Sequence, residues 1–298
     1  MEKTAIRRMI MTVCAVALTG VTMMGQLLWK VEGNGAKGAS YLFGTHHIAP
    51  VTLTDSIADF GEAIKSVDAV YGEVEQMESM QDPATMQKMA ALMMAPADST
   101  MSKLLSPAQL NSVCAMMTEY TGAQIAPQML DALKPAALSM QIAMMQNMKF
   151  FPGFNPAEQI DATILGRAKT LGKAIKGFET IDQQMHMLLG YDLKKQAADL
   201  METVRTKDKA DAEAHRLANA YLSRDLGEIE KLFADESTMD AETRARLIDG
   251  RNAAWVEVIK EELPKENVMV VVGAGHLIGD NGLINSLRKA GYTVTPCK

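Results

Sequence analysis

Two histidines follow a glycine at the same spacing, one near each end of this 298-residue chain. The first segment reads Gly44-Thr45-His46-His47, and the second reads Gly273-Ala274-Gly275-His276. Neutral imidazole is the commonest metal ligand in proteins, and glycine allows a sharp turn or a close backbone approach. Because most of the chain separates the two histidines, only the fold can bring them together. The repeated spacing suggests one shared polar site, although both histidines could instead simply satisfy loop carbonyls.

Two glutamates stand at comparable places beside strand-like segments. Glu73 lies in the apolar run 69–74, and Glu179 directly follows the run 174–178. Two histidines and one carboxylate leave open positions on a divalent metal, as in hydrolytic sites. Such a metal lowers the pKa of bound water or polarises a carbonyl, and a second carboxylate can act as general base. We therefore expect Mn, Co or Zn held by His47, His276 and Glu73, with Glu73 alternatively serving as the base.

Three further residues are candidates for the same site. His46 is a candidate ligand beside His47, although neighbouring side chains should point in opposite directions. Arg251 and Asn252 lie in a segment with an ordinary helical pattern. Arg251 could form a surface salt bridge, or it could anchor a site carboxylate or an anionic substrate group. The paired methionines could suggest copper ligation, but core packing explains them better.

The apolar runs predict the strands that would position these residues. The runs 27–31, 39–43, 69–74, 174–178, 268–272 and 292–295 each have strand character. The continuous β-branched run 268–272 is typical of a strand buried on both faces of a parallel sheet. In open α/β sheets, ligands bind at the carboxyl ends of such strands. We expect an α/β fold with a mainly parallel sheet and paired Gly-x-x-His loops at the strand ends.

Helical patterns occupy most of the remaining chain. Residues 83–150 are Met-rich and are interrupted by prolines, which predicts several short helices forming an insertion or cap. Other helices are expected over 161–171, 182–233 and 241–263. Asp55 is expected to cap one further helix, and Asp280 or Asn281 another.

The composition and the N-terminal segment limit the functional classes to which the protein could belong. The net charge of −6 argues against a nucleic-acid binder. Residues 1–25 carry two arginines and then an apolar stretch, which predicts an export signal that is cleaved or kept as an anchor. The protein is thus expected in the periplasm or outside the cell, touching a membrane only through an uncleaved segment. Residues 26–298 would form one α/β domain, in which Cys114 and Cys297 either pair or stay free.

Several spaced motifs resemble the TraB/PrgY/GumN family. They are Gly44-Thr45-His46-His47, Tyr71-Gly72-Glu73, Gly177-Phe178-Glu179-Thr180, Arg251-Asn252 and the segment from Val270 to Gly279. The family is related to the Tiki metalloproteases, and a shared fold with haem-binding ChaN-like proteins and erythromycin esterases is implied. The resemblance implies an α/β fold whose site contains His47, Glu73 and His276, with Arg251, Asn252 and Glu179 close by. His46 departs from the pattern, because an apolar or small residue is expected there.

Together these observations favour an exported metal-dependent hydrolase, a peptidase acting on a peptide or protein substrate. The alternative is a protein that binds haem, a metal or a peptide without turnover on the same fold. A partner-binding module that has merely kept the fold is the third interpretation.

Overall fold

A single mixed sheet organises the protein. The computed structural model describes residues 26–74, 83–151, 153–155, 158–236 and 239–297, so the predicted export segment 1–25 lies outside it. The strands are β1 Leu28–Glu32, β2 Ser40–Thr45, β3 Ala69–Val74, β4 Ala174–Glu179, β5 Val268–Gly273 and β6 Thr293–Pro296. Their spatial order is β4-β3-β5-β2-β1-β6. The pairs β4–β3, β3–β5 and β5–β2 are parallel, whereas β1 is antiparallel to both β2 and β6. The predicted α/β class with a mostly parallel sheet is confirmed.

Parallel register brings four strand ends to one edge of the sheet. Thr45 lies opposite Gly273, and Val74 lies opposite Glu179. The two central strands are covered on both faces, since every residue of β3 and all but the last of β5 are buried. Residues at the ends of β2, β3, β4 and β5 therefore share a single rim, as the rule for open parallel sheets predicts.

Gly44 and Gly273 lie inside their strands rather than in the loops after them. Ladder pairing between β2 and β5 continues through both residues, so each strand ends later than its apolar run predicts. A Cβ at Gly44 would come within 2.9 Å of Leu277 Cδ1 and 3.1 Å of Ala274 Cα. Gly44 is thus needed for close packing of β2 against the turn after β5, not for a positive φ.

Two helix starts differ from the prediction. The segment after His47 contains two short helices, α1 Thr52–Asp55 and α2 Phe60–Ser66, and Asp55 ends the first instead of capping a longer one. The hydroxyls of Thr54 and Ser56 bond back to carbonyls three residues earlier, which favours a break at this point. Near the C-terminus, neither Asp280 nor Asn281 caps the last helix, because Gly282 occupies the cap position.

The Met-rich region is helical, and its longer helices start at prolines. Its helices are α3 Pro83–Met93, α4 Met101–Leu104, α5 Pro107–Thr121, α6 Pro127–Leu130 and α7 Pro135–Met148. Proline suits the first helical position because its missing N–H would have no partner there. Met101, Met116 and Met117 are buried in an apolar cluster that also includes Leu200 from a later helix. Cys114 lies in the same cluster as a free thiol, and Cys297 is free as well, so the two do not pair.

The remaining helices complete the layers around the sheet. They are α8 Ile160–Thr170, α9 Ile181–Leu189, α10 Leu193–Arg205, α11 Lys207–Leu222, α12 Leu226–Ala234, α13 Ala241–Arg244, α14 Gly250–Glu262 and α15 Leu283–Lys289. A π-helical turn, Ala245–Asp249, joins α13 to α14. Within the described ranges, no helix combines the length and apolar character needed to cross a bilayer.

Candidate active site

Arg251 is the centre of the polar cluster at the strand-end rim. Its Nε donates to Glu179 Oε1 at 2.7 Å, and one terminal nitrogen donates to Glu179 Oε2 at 3.1 Å and to Glu73 Oε2 at 2.7 Å. The other terminal nitrogen bonds the Leu247 carbonyl at 3.2 Å and His276 Nε2 at 3.0 Å. These bonds use all five N–H donors of a guanidinium. Arg251 therefore anchors the site carboxylates and has no donor left for an anionic substrate; the surface salt-bridge interpretation is wrong.

The π-helical turn places Arg251 at this centre. It lies directly before α14, and its Leu247 carbonyl accepts one of the Arg251 bonds. The guanidinium also lies over the Trp255 ring, 4.6 Å from its centroid. Single π turns are common at functional sites because the extra residue re-aims the side chains that follow. The sequence pattern predicted an uninterrupted helix here and gave no sign of the turn.

Asn252 fixes the ring of His276. Its amide nitrogen donates to the carbonyls of His276 and Asn281, at 3.1 and 2.9 Å, so its oxygen must face His276 Nδ1, 2.7 Å away. The imidazole then donates from Nδ1 and accepts from Arg251 at Nε2, which is the neutral form. Burial, reinforced by the charge of Arg251, lowers the pKa of His276 to about 4, consistent with this form.

Glu73 is a buried carboxylate held from three directions. The backbone N–H of Gly273 donates to Oε1 at 2.8 Å, and the Gln184 amide donates to Oε2 at 3.1 Å, beside the bond from Arg251. Burial by itself would raise the pKa of Glu73, but the nearby His276, His47 and Arg251 lower it to about 2. Glu73 is thus ionised at neutral pH. A Cβ at Gly273 would lie 3.3 Å from Oε1, so glycine gives this carboxylate access to the backbone.

His47 occupies a separate position on the rim and has its own carboxylate. Its Nδ1 lies 2.8 Å from Asp161 Oδ2, and Thr45 donates to Asp161 Oδ1 at 2.6 Å. The Asp161 charge raises the pKa of His47 above the ordinary value. The side chain of His47 is 64% exposed, so solvent weakens that effect. Glu73 and Arg251 also act on the pKa of His47, in opposite directions, which places the ring within electrostatic reach of the Arg251 cluster.

His46 points into an aromatic pocket. Its ring packs 4.5 Å from Phe151 and 5.6 Å from Tyr221, measured between centroids. Burial lowers its pKa to about 3, and Nδ1 is buried without a hydrogen-bond partner. His46 and His47 therefore have opposite environments, as the alternation of neighbouring side chains predicts. A ligand role for His46 remains a prediction.

Three residues of the cluster carried no role in the sequence-based prediction. Asp161 stood out only as the start of a predicted helix, and Thr45 only as part of the first Gly-x-x-His segment. Gln184 lay inside a predicted helix. Each lies at an element boundary near the rim, but no spacing rule links a helix start to a histidine more than a hundred residues earlier. A polar residue in the first turn after a loop was the one available signal for Asp161.

The chemistry of the donors suits a metal, but their arrangement is held by Arg251. Both histidines have Nδ1 bound to a side-chain oxygen, the outer-shell pattern typical of metal-ligating histidines. Nε2 of His276 and one oxygen of Glu73, however, accept bonds from Arg251. Among the residues that the structure describes, no three His, Cys, Asp or Glu side chains form a group that could hold a metal ion. Metal binding would have to replace these Arg251 bonds.

Comparisons with known proteins assign the chain to a family. Metalloprotease TIKI2 from Danio rerio is 21% identical over 322 residues, covering 91% of this chain and 61% of that protein. Metalloprotease TIKI1 from Homo sapiens is 21% identical over 323 residues, covering 91% of this chain and 62% of that protein. The chain thus spans less than two thirds of the length of these relatives. No solved structure matches it significantly. A model of the TraB/PrgY/gumN family matches residues 27–296, and the protein belongs to that family.

Proposed function

We propose that this protein is an exported, metal-dependent hydrolase that acts as a peptidase on peptide or protein substrates. The observation that carries the proposal is the pair of histidines after the neighbouring strands β2 and β5, each with Nδ1 bound to a side-chain oxygen. Similarity to proteins named metalloproteases supports the reaction class. Export rests on residues 1–25, whose charge and apolar pattern are those of a signal segment.

In this proposal His47, His276 and Glu73 hold the metal. The lowered pKa makes Glu73 a weak base that is ionised at neutral pH, which favours the ligand role over the general-base role. A bound divalent metal supplies Lewis acidity toward a scissile carbonyl. Its identity among Mn, Co and Zn is left to experiment, because two imidazoles and a carboxylate suit all three.

The surrounding residues position these ligands. Asn252 orients His276 through Nδ1, and Gln184 and Gly273 orient Glu73. Arg251 and Glu179 form an ion pair at the floor of the site, where the side chain of Arg251 is 11% exposed. Arg251 stabilises the negative charge of Glu73, whereas its bond to His276 Nε2 is one that the metal would replace. Glu179 thus acts through Arg251 and supports the site from one side.

The Met-rich helices α3–α7 act in this proposal as a cap that selects the substrate. Two apolar clusters apart from the sheet's core support a semi-independent unit, one centred on Met101 and Leu138 and the other on Ala137 and Leu189. Helix α9 connects this unit to the site, because it carries both Leu189 and Gln184.

Metal content tests the proposal directly. Protein lacking residues 1–25 should hold about one Mn, Co or Zn per chain by mass spectrometry, and His47→Ala and His276→Ala should each lose it. His186→Ala is the matched control, since His186 is an exposed helical histidine. Circular dichroism checks that every variant is folded. A parent protein that takes up none of the three metals would refute the metal-dependent reaction.

A binding protein without turnover is the second candidate. The use of Glu73 and of His276 Nε2 by Arg251 favours it, since these atoms already have a cation as partner. Peptide-library cleavage by the metal-loaded protein, abolished by chelation and in Glu73→Gln, would exclude this candidate. Bound metal or a haem absorption band, with no cleavage of any library, would select it.

A further inference from the structure

Asp161 is a buried carboxylate whose two oxygens have different partners. Oδ1 accepts from the Thr45 hydroxyl at 2.6 Å, and Oδ2 lies 2.8 Å from Nδ1 of His47. Asp161 is 4% exposed and Thr45 2%, so water hardly competes for these bonds. A charge buried to this extent requires partners, and the two bonds fix the plane of the carboxylate.

The position of Asp161 in the fold directs its carboxylate at His47. It lies in the first turn of α8, where the helix dipole and the free N–H groups favour a negative charge. Helix α8 packs on β3 and β4, while Thr45 is the last residue of β2. The carboxylate therefore connects the helical layer to the strand that precedes His47.

An ionised carboxylate can only accept hydrogen bonds, and this determines the state of the ring beside it. The nitrogen of His47 that faces Asp161 must carry a hydrogen, because a bare Nδ1 would oppose an oxygen lone pair at 2.8 Å. Once Nδ1 is protonated, Nε2 is the nitrogen whose lone pair is available in the neutral ring. Asp161, which lies 114 residues further along the chain, thus determines which ring nitrogen of His47 carries the hydrogen.

We propose that Asp161 is the positioning residue for His47: it holds the ring with Nδ1 protonated and presents Nε2 to the strand-end site, while Thr45 holds the carboxylate. The identity of the ligand at Nε2 rests on the proposed metal-dependent function, whereas the tautomer does not. A purely structural tie between α8 and β2 would contribute to stability without selecting a ring nitrogen.

The test compares Asp161→Ala, which removes both carboxylate oxygens, with the parent and with Asp182→Ala. Asp182 is a matched control because it also lies in the first turn of a helix beside a histidine, but both side chains are exposed. Two-bond proton–nitrogen NMR spectra of the metal-free protein, at alkaline pH where the ring is neutral, report the tautomer of His47. Co²⁺ titration of the same samples reports the affinity of the site.

The parent and Asp182→Ala should show His47 protonated at Nδ1. Asp161→Ala leaves Nδ1 without its side-chain acceptor and should shift the ring toward the Nε2-protonated form. Co²⁺ affinity should fall about 10- to 100-fold in Asp161→Ala only, the usual effect of losing an outer-shell partner. A parent ring protonated at Nε2 would overturn the proposal even if Asp161→Ala fails to fold. An unchanged tautomer and affinity in folded Asp161→Ala would overturn it as well.

The two proposals can fail separately. If the parent binds none of Mn, Co and Zn but Asp161→Ala changes the tautomer, the positioning role stands and the metal-dependent function falls. If Co²⁺ binds equally to the parent and to Asp161→Ala without a change of tautomer, the metal function stands and the positioning role falls.

Discussion

The two Gly-x-x-His segments share a spacing and differ in almost everything that surrounds the histidine. His276 is buried, faces an uncharged amide at Nδ1 and accepts from a guanidinium at Nε2. His47 is largely exposed and faces a carboxylate at Nδ1. The pKa of His276 is lowered by burial and the pKa of His47 is raised by Asp161. An identical local pattern therefore produces one neutral and one readily protonated imidazole.

The difference indicates a division of roles within the site. A neutral ring whose Nε2 carries no proton can serve as a metal ligand without first releasing a proton. A ring paired with a carboxylate is a stronger base, so its metal affinity depends more steeply on pH, and its charge in the metal-free protein offsets that of Asp161. Three experiments test this contrast between the two histidines.

Arg251→Met should have the largest effect on stability, because Arg251 bonds the buried residues around His276 and does not contact His47. It would leave Glu73 and Glu179 as buried carboxylates without their cation, a loss of about 3–5 kcal/mol in the free energy of unfolding. Urea denaturation measures it, with Arg216→Met as control, since that arginine forms an exposed ion pair with Glu228. A loss no larger than in the control would show that the buried ion pairs contribute little.

Asn252→Asp should make His276 resemble His47. A carboxylate at Nδ1 favours the charged ring and should raise the proton affinity of His276 about tenfold or more. The substitution also removes the donor to the His276 and Asn281 carbonyls, which should cost about 1–3 kcal/mol of stability. Histidine NMR titration and thermal unfolding report the two effects. If the pKa of His276 stays near 4, burial outweighs the identity of the Nδ1 partner.

Titration of the unmodified, metal-free protein should show the smallest but most direct contrast. His47 should titrate above 6.5 and His276 near 4. The stabilisation from the raised pKa of His47 is complete below pH 6.5 and is lost as the pH rises through the folded-state value. The lowered pKa of His276 has the opposite sign, so stability falls as the pH drops from 6.5 toward 4. Equal pKa values for the two rings would contradict the contrast.

The strands and the broad class of the fold could be predicted from the sequence because their causes are local. The apolar runs 69–74 and 268–272 specify buried strands by composition, and β3 has the predicted bounds. Prolines at 107, 127 and 135 mark the helix starts for the same reason: the fixed φ and the missing N–H act within one turn. The capping predictions at Asp55 and at Asp280 or Asn281 were wrong, because Asp55 ends a short helix and Gly282 occupies the other cap position.

Residue types and their local placement identify the side chains that could take part in the site: His47, Glu73, Glu179, Arg251 and His276 stand at strand ends or in a helix facing them. How these side chains meet depends on the fold. Arg251 follows a π turn and bonds both glutamates and His276. His47 is bonded to Asp161, which lies on a helix far along the chain. Hydrogen-bond partners and burial depend on contacts between distant segments of the chain. The identical Gly-x-x-His spacings therefore could not predict that the pKa of His276 is lowered and the pKa of His47 is raised.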